Sequence, residues 1–184
     1  MPDESDHWTA LAQTGHWGRR GAGCLVFARD TQTFLVPLRS ANVHPPNVYG
    51  TIGGAIDSNE DPKTAALREL REEAGYTGAI SAVKASYIHA ANDGSGFKYY
   101  NFIVELPSEF TPKKNWETAS FRWVSYAELL KLKPKIKGFD QLLSHEKSYL
   151  QKLAQKKDKE MDDELKENWG VVLPEFEEEE DGET

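Results

Sequence analysis

The stretch from Gly53 to Tyr76, GGAIDSNEDPKTAALRELREEAGY, constrains this chain more than any other. It reads as a helix marked at both ends. Asp61 suits the N-cap, Pro62 the first helical position, and Gly75 the left-handed residue that follows a helix. Yet Glu69, Glu72 and Glu73 crowd its C-terminal end, where the macrodipole disfavours carboxylates and like charges one turn apart each cost roughly 0.2–0.5 kcal/mol. At about 100° per residue the three share one narrow face, with Ala66, Leu67, Leu70 and Ala74 on a different arc suited to a sheet. Ala65, one turn before Glu69, is read as leaving space above that acidic face. Hard oxygen ligands converging on a rigid element suit Mg²⁺ or Mn²⁺, the compensation that the charge pattern lacks. The bland reading, a solvated acidic face, needs neither convergence nor flanking glycines. A calcium loop at DSNED fails, because Pro62 and Arg68 stand where such a loop needs its glycine and its bidentate glutamate.

Around this helix the pattern is mainly strands. GCLVFARDTQTFLVPLRS gives two apolar runs about a polar turn, a hairpin signal. VHPPNVYGTIGG reads as a loop feeding a short strand. ISAVKASYIHA and FKYYNFIVEL pair across NDGSG, and TASFRWVSY adds one more strand. YAELLKL and FDQLLSHEKSYLQKLAQ then show helical spacing, the second as one closing helix with Phe139, Leu142, Leu143, Tyr149, Leu150 and Leu153 on its apolar side.

At 184 residues the chain suits one well-cored domain with appendages. No apolar run approaches the ~20 residues of a membrane span, and the N-terminus lacks the form of a secretory signal, so a cytoplasmic protein without a membrane partner is expected. Cys24 is the single cysteine, which excludes an internal disulfide, and its setting suggests a buried strand thiol rather than a nucleophile. The five histidines show no zinc spacing. The net charge of −8 is uneven: thirteen of the thirty acids but only two of the twenty-two bases follow Lys157. The expected division is a mildly basic domain at 1–157, its core at about 20–150, and an acidic tail at 158–184. Trp169, Val171, Val172, Leu173 and Phe176 in that tail call for a partner surface, in cis or on a second subunit, which leaves a homodimer open.

The helical stretch resembles the Nudix box, Gly-x5-Glu-x7-Arg-Glu-U-x-Glu-Glu-x-Gly-U with U aliphatic. Gly54, Glu60, Arg68, Glu69, Leu70, Glu72, Glu73 and Gly75 fill its required positions, and Tyr76 is the one departure. The resemblance implies an α/β fold, the Nudix α/β/α sandwich, with a mixed sheet and a catalytic loop-helix-loop. It implies that Glu69, Glu72 and Glu73 bind Mg²⁺ or Mn²⁺, that a Gly53 carbonyl adds a ligand, and that Arg68 and Glu60 position the helix. Upstream, YGTIGG is similar to the family's aromatic-x-x-Pro-Gly-Gly with Ile52 in place of proline. A further acid before a WVSY-like strand serves many members as ligand or base; Glu117 is preferred here, with Glu105 and Glu109 as rivals.

Tyr49, Phe97, Tyr99 and Tyr100 are candidates to stack a nucleobase. Arg39, and Arg19 or Arg20, are candidates to bind phosphate. The function implied is a metal-dependent pyrophosphohydrolase acting on a nucleoside diphosphate linked to another group. ADP-ribose, nucleotide sugars, dinucleoside polyphosphates, nucleoside triphosphates and capped or triphosphorylated RNA all stay open. The alternative is a non-catalytic Nudix-fold sensor of a nucleotide metabolite.

Overall fold

The computed structural model describes residues 20–155 apart from Asp93, so the acidic tail at 158–184 and its apolar patch lie outside the described residues. Six strands form one mixed sheet: β1 (Arg20–Ala28), β2 (Thr33–Arg39), β3 (Ile52–Ala55), β4 (Ala82–Ala90), β5 (Lys98–Leu106) and β6 (Thr118–Val124). The spatial order is β4-β5-β1-β2-β6, with β3 also paired to β1. The β1–β5 ladder is parallel and every other pairing is antiparallel. β1 is buried along nearly its whole length, which is why its sequence is continuously small or apolar instead of alternating.

The edge of β1 is shared. Its N-terminal half, Gly21 to Cys24, pairs with β3, and its C-terminal half, Val26 to Ala28, pairs with β2. The sheet therefore forks between β3 and β2.

Helices cover both faces. On one, α1 (Pro62–Ala74) lays Ala65, Ala66, Leu70 and Ala74 against Ala22, Cys24, Val26 and Ile52. On the other, α2 (Tyr126–Lys131) and α3 (Lys137–His145) contribute Leu129, Phe139, Leu142 and Leu143 to a second core with Leu25, Phe27 and Ile103. The α/β/α sandwich implied by the resemblance is the architecture observed. Ala65, expected to leave open space, is fully buried against the sheet.

The single closing helix is interrupted. α3 ends before Glu146 (φ −96°, ψ 13°), and helical conformation resumes at 147. Glu146 is buried, and its Oε1 accepts hydrogen bonds from Lys84 Nζ and Ser86 Oγ of β4, both at 2.6 Å. A buried carboxylate must be paired, so the chain bends where this glutamate meets the sheet. Among the described residues no helix is long and apolar enough to cross a membrane.

Candidate active site

α1 is set by its caps. Asp61 Oδ1 accepts from the N–H groups of Lys63 and Thr64 at 3.0 and 3.1 Å, and Gly75 takes φ 72° while its N–H donates to Arg71 O. Arg68 fastens the helix to the preceding loop and strand: Nε and Nη2 donate to the two Glu60 oxygens at 3.0 Å, and Nη2 also donates to Ala55 O at 2.9 Å. This two-pronged pairing holds the Glu60 carboxyl below the usual range and keeps Arg68 charged. The remaining prong, Nη1, reaches Glu69 at 2.8 Å and Glu72 at 3.2 Å.

The three box glutamates do not share one environment. Glu69 and Glu73 are buried, whereas Glu72 stands on the exposed flank of α1 beside Arg68. Desolvation pushes the Glu69 carboxyl up to about 7 against the pull of Arg68. Burial pushes Glu73 well above the ordinary range, reinforced by Glu69 and Glu117, and Arg39 opposes this. Glu117 is the acid outside α1 that presses on Glu73, holding its carboxyl toward the protonated form. Among the described residues, no three His, Cys, Asp or Glu side chains close on a common point. Arg68 draws Glu69 and Glu72 toward itself, while Glu73 turns to Glu117.

Glu117 occupies the last position before β6, where its backbone O accepts from Ser40 N at 2.8 Å and its N–H donates to Asn115 Oδ1 at 2.9 Å. Its rivals lie elsewhere. Glu105 accepts hydrogen bonds from Arg29 and Tyr149, and Glu109 from Thr31 and Thr33 of the β1–β2 hairpin.

A cavity of about 360 Å³ opens on the α3 face of the sheet, and its wall includes Gly53, Gly54, Arg39 and Glu117. Gly54 is where the acidic helix and the cavity meet: a Cβ there would lie 2.6 Å from Glu69 Oε1. Gly53 is pressed equally hard, since a Cβ would collide with Ala22 O and the Tyr99 hydroxyl. Arg39 is anchored through its guanidinium to the carbonyls of Pro45 and His44, at 3.1 and 3.0 Å.

Two buried carboxyls that resist ionisation, Glu117 pressing on one of them, and a glycine that leaves no side chain between Glu69 and the cavity put only oxygen donors at this edge, drawn apart from a common point by Arg68. The chemistry of these donors, though not yet their convergence, fits a hard divalent cation, which would let the groups ionise together.

Tyr49 is a correction. It does not line the cavity; its ring packs against the core beside α3, because its N–H donates to Pro134 O and its O accepts from Ile136 N, both at 2.9 Å. Tyr100 packs on the α1 face, with Arg20 over its ring. Phe97 and Tyr99 do line the cavity, as do His89, Asn101 and Lys137, which the sequence reading did not single out as site residues. Asn101 left a trace, an amide within the apolar run NFIVEL.

A NUDIX domain model matches residues 17–145. A Mycobacterium tuberculosis protein described as "Putative 8-oxo-dGTP diphosphatase 3" is 30% identical over 137 residues, covering 70% of this chain and 63% of that protein's length. The crystal structure of a Nudix hydrolase from M. smegmatis superposes with a TM-score of 0.58 at 23% identity, covering 86% of this chain and 91% of that one. The NUDIX domain of Shewanella oneidensis NrtR, complexed with ADP ribose, gives a TM-score of 0.58 at 18% identity, covering 80% and 99%. At these identities the two structures establish a common fold.

Proposed function

The chain belongs to the Nudix family, and from that premise we propose that it is a Mg²⁺- or Mn²⁺-dependent pyrophosphohydrolase cleaving a nucleoside diphosphate linked to another group. The observation that carries this reading is the Glu69–Glu73–Glu117 cluster at the Gly54 edge of the cavity, with Arg39 on the wall. The hydrolase relatives support it, and the M. tuberculosis protein's name points to a nucleoside triphosphate as the form of substrate.

Glu69, Glu72, Glu73 and Glu117 would hold the cation, together with the Gly53 carbonyl. When bound, it supplies Lewis acidity and positive charge to a diphosphate. The chain's own residues do the rest. Arg68 and Glu60 fix the angle of α1, so that Glu69 and Glu73 reach the sheet edge. Arg39, already oriented by two backbone carbonyls, presents charge to a phosphate. Glu117 or a box glutamate takes the proton of a water whose oxygen bonds to phosphorus as the P–O–P bridge breaks. No cysteine competes as nucleophile, since Cys24 is buried on the α1 face with its thiol pushed up by burial.

The test is a panel of ADP-ribose, a nucleotide sugar, a dinucleoside polyphosphate, nucleoside triphosphates and capped RNA, incubated with Mg²⁺ and resolved by product mass. Turnover of at least one by cleavage between phosphates is expected. Binding without turnover of any of them would replace this reading with that of a nucleotide sensor.

A further inference from the structure

The cavity wall carries polar groups whose hydrogen-bonding sense is fixed. Asn101, only 3% exposed, donates from Nδ2 to Tyr87 O at 2.8 Å. A carbonyl can only accept, so the amide orientation is determined and Oδ1 is the end left over. No described residue donates to Oδ1. Among the described residues only the Tyr126 hydroxyl is both sealed from solvent and without a partner, so Oδ1 keeps its access to the cavity that Asn101 lines.

His89 is oriented in the same way. Its Nδ1 lies 2.7 Å from Gln141 Oε1 on α3; with that amide oxygen accepting, Nδ1 holds the proton and Nε2 is the ring's acceptor. Nε2 has no partner among the described residues, and His89 also lines the cavity. The ladder sets the spacing. His89 stands opposite Tyr99, and Asn101 follows two residues along the same face of β5, so the two acceptors are diagonal neighbours beside one aromatic ring. That ring is held close to the backbone, since a Cβ at Gly21 would come 2.7 Å from Tyr99 Cδ2, and Gly23 leaves room for its hydroxyl.

Two acceptors beside an aromatic surface select a flat heterocycle that presents two neighbouring N–H donors. Guanine does so through N1–H and the N2 amine. Adenine and cytosine set a donor next to an acceptor, uracil offers a single N–H between two carbonyls, and hypoxanthine lacks the amine. We infer that the cavity bounded by Tyr99, Asn101 and His89 selects nucleotides with a guanine-type base, read through paired N–H donors. The inference rests on the nucleotide reading of the site and names its base. Guanine and 8-oxoguanine share the chemistry, the latter adding an N7–H donor.

The experiment is calorimetric titration of the full chain in Mg²⁺ buffer with GMP, 8-oxo-GMP, IMP, AMP and CMP. GMP should bind at least tenfold more tightly than AMP or CMP, with IMP between. Equal affinity for GMP and 8-oxo-GMP assigns the N1–H/N2 edge, and a further tenfold gain for 8-oxo-GMP assigns the oxidised base; either supports the inference. AMP binding as tightly as GMP overturns it. Asn101→Leu should reduce the preference for GMP over AMP below threefold, and the wild-type panel decides the matter if that variant fails to fold. Hydrolysis of the matching triphosphates separates the two readings. Turnover of all bases with kcat/KM within threefold defeats this inference and leaves the hydrolase, whereas selective GMP binding without any turnover defeats the hydrolase and leaves the base preference.

Discussion

Glu73, buried on α1, and Glu117, the residue before β6, stand 44 positions apart in sequence, yet Glu117 holds the Glu73 carboxyl toward its protonated form. Two acids coupled in this way, one of them buried, resist ionising together without a cation to offset them. Buried Glu69 stands nearby and adds to the repulsion.

Stability should therefore fall as pH rises when divalent cations are chelated. A carboxyl whose folded-state pKa lies above its ordinary value binds more protons folded than unfolded between the two. For Glu69 that window runs from 4.5 to about 7. Thermal melts in EDTA should lose Tm across this window. Glu69→Gln should flatten the loss and stabilise the chain above pH 7, by no more than about 3.5 kcal/mol at 1.36 kcal/mol per pKa unit. Mg²⁺ should restore Tm to the wild type at pH 8. A melting temperature that ignores pH and Mg²⁺ alike would contradict the cluster.

Glu72→Gln or Glu73→Gln should lower kcat by orders of magnitude; Tm should hold or rise in the Glu73 variant, which loses a buried like charge, and fall only slightly in the Glu72 variant, which loses an exposed pair with Arg68. Steady-state kinetics with saturating Mg²⁺ decide it. Turnover within about threefold of wild type, some 0.65 kcal/mol of barrier, would remove these residues from the reaction.

Glu117→Gln separates two roles. If Glu117 takes the proton, the variant's pH–rate profile loses the limb set by that group. If it only ligates, the profile keeps its shape and the Mg²⁺ concentration for half-activation rises.

Arg68→Lys keeps a charge but loses the fork that reaches Glu60, Ala55 O, Glu69 and Glu72 together. A loss of about 3 kcal/mol is expected, in line with breaking a partly buried ion-pair network, and denaturant unfolding measures it. Activity should drop along with stability, since the same fork sets the height of α1.

Gly54→Ala is a sharper probe of the site. The added methyl would come 2.6 Å from Glu69 Oε1 and 2.9 Å from Glu69 Cδ, so the carboxylate must swing away. We expect at least a tenfold fall in kcat with little change in the circular dichroism spectrum. Wild-type kcat in this variant would mean that Glu69 works from another position.

Much of this arrangement was legible in the sequence because it is local. Caps, hairpin signals and the spacing of Arg68, Glu69, Glu72 and Glu73 are properties of neighbouring residues, and the structure has the caps and hairpins where the spacing put them. The interruption at Glu146 was not legible, because its cause is Lys84 and Ser86, some sixty residues earlier. Tyr49 misled for a similar reason: its ring direction is set by backbone pairing with residues 134–136, which nothing near it in sequence announces. His89 and Asn101 acquire meaning only once β4, β5 and α3 bring Gln141 and the Tyr87 carbonyl to them.

The fork on the edge of β1 has an evolutionary corollary. The acidic helix lies on one side of the sheet and the base-contacting wall on the other, and the two communicate through the gap beside β3. Most of the carboxylates thus sit in one contiguous word of sequence, with Glu117 and Arg39 supplied from outside it, while the proposed selectivity is scattered over single positions in β4, β5 and α3. A lineage can rewrite the second by point changes without touching the first, so two descendants with identical boxes can part ways in diet.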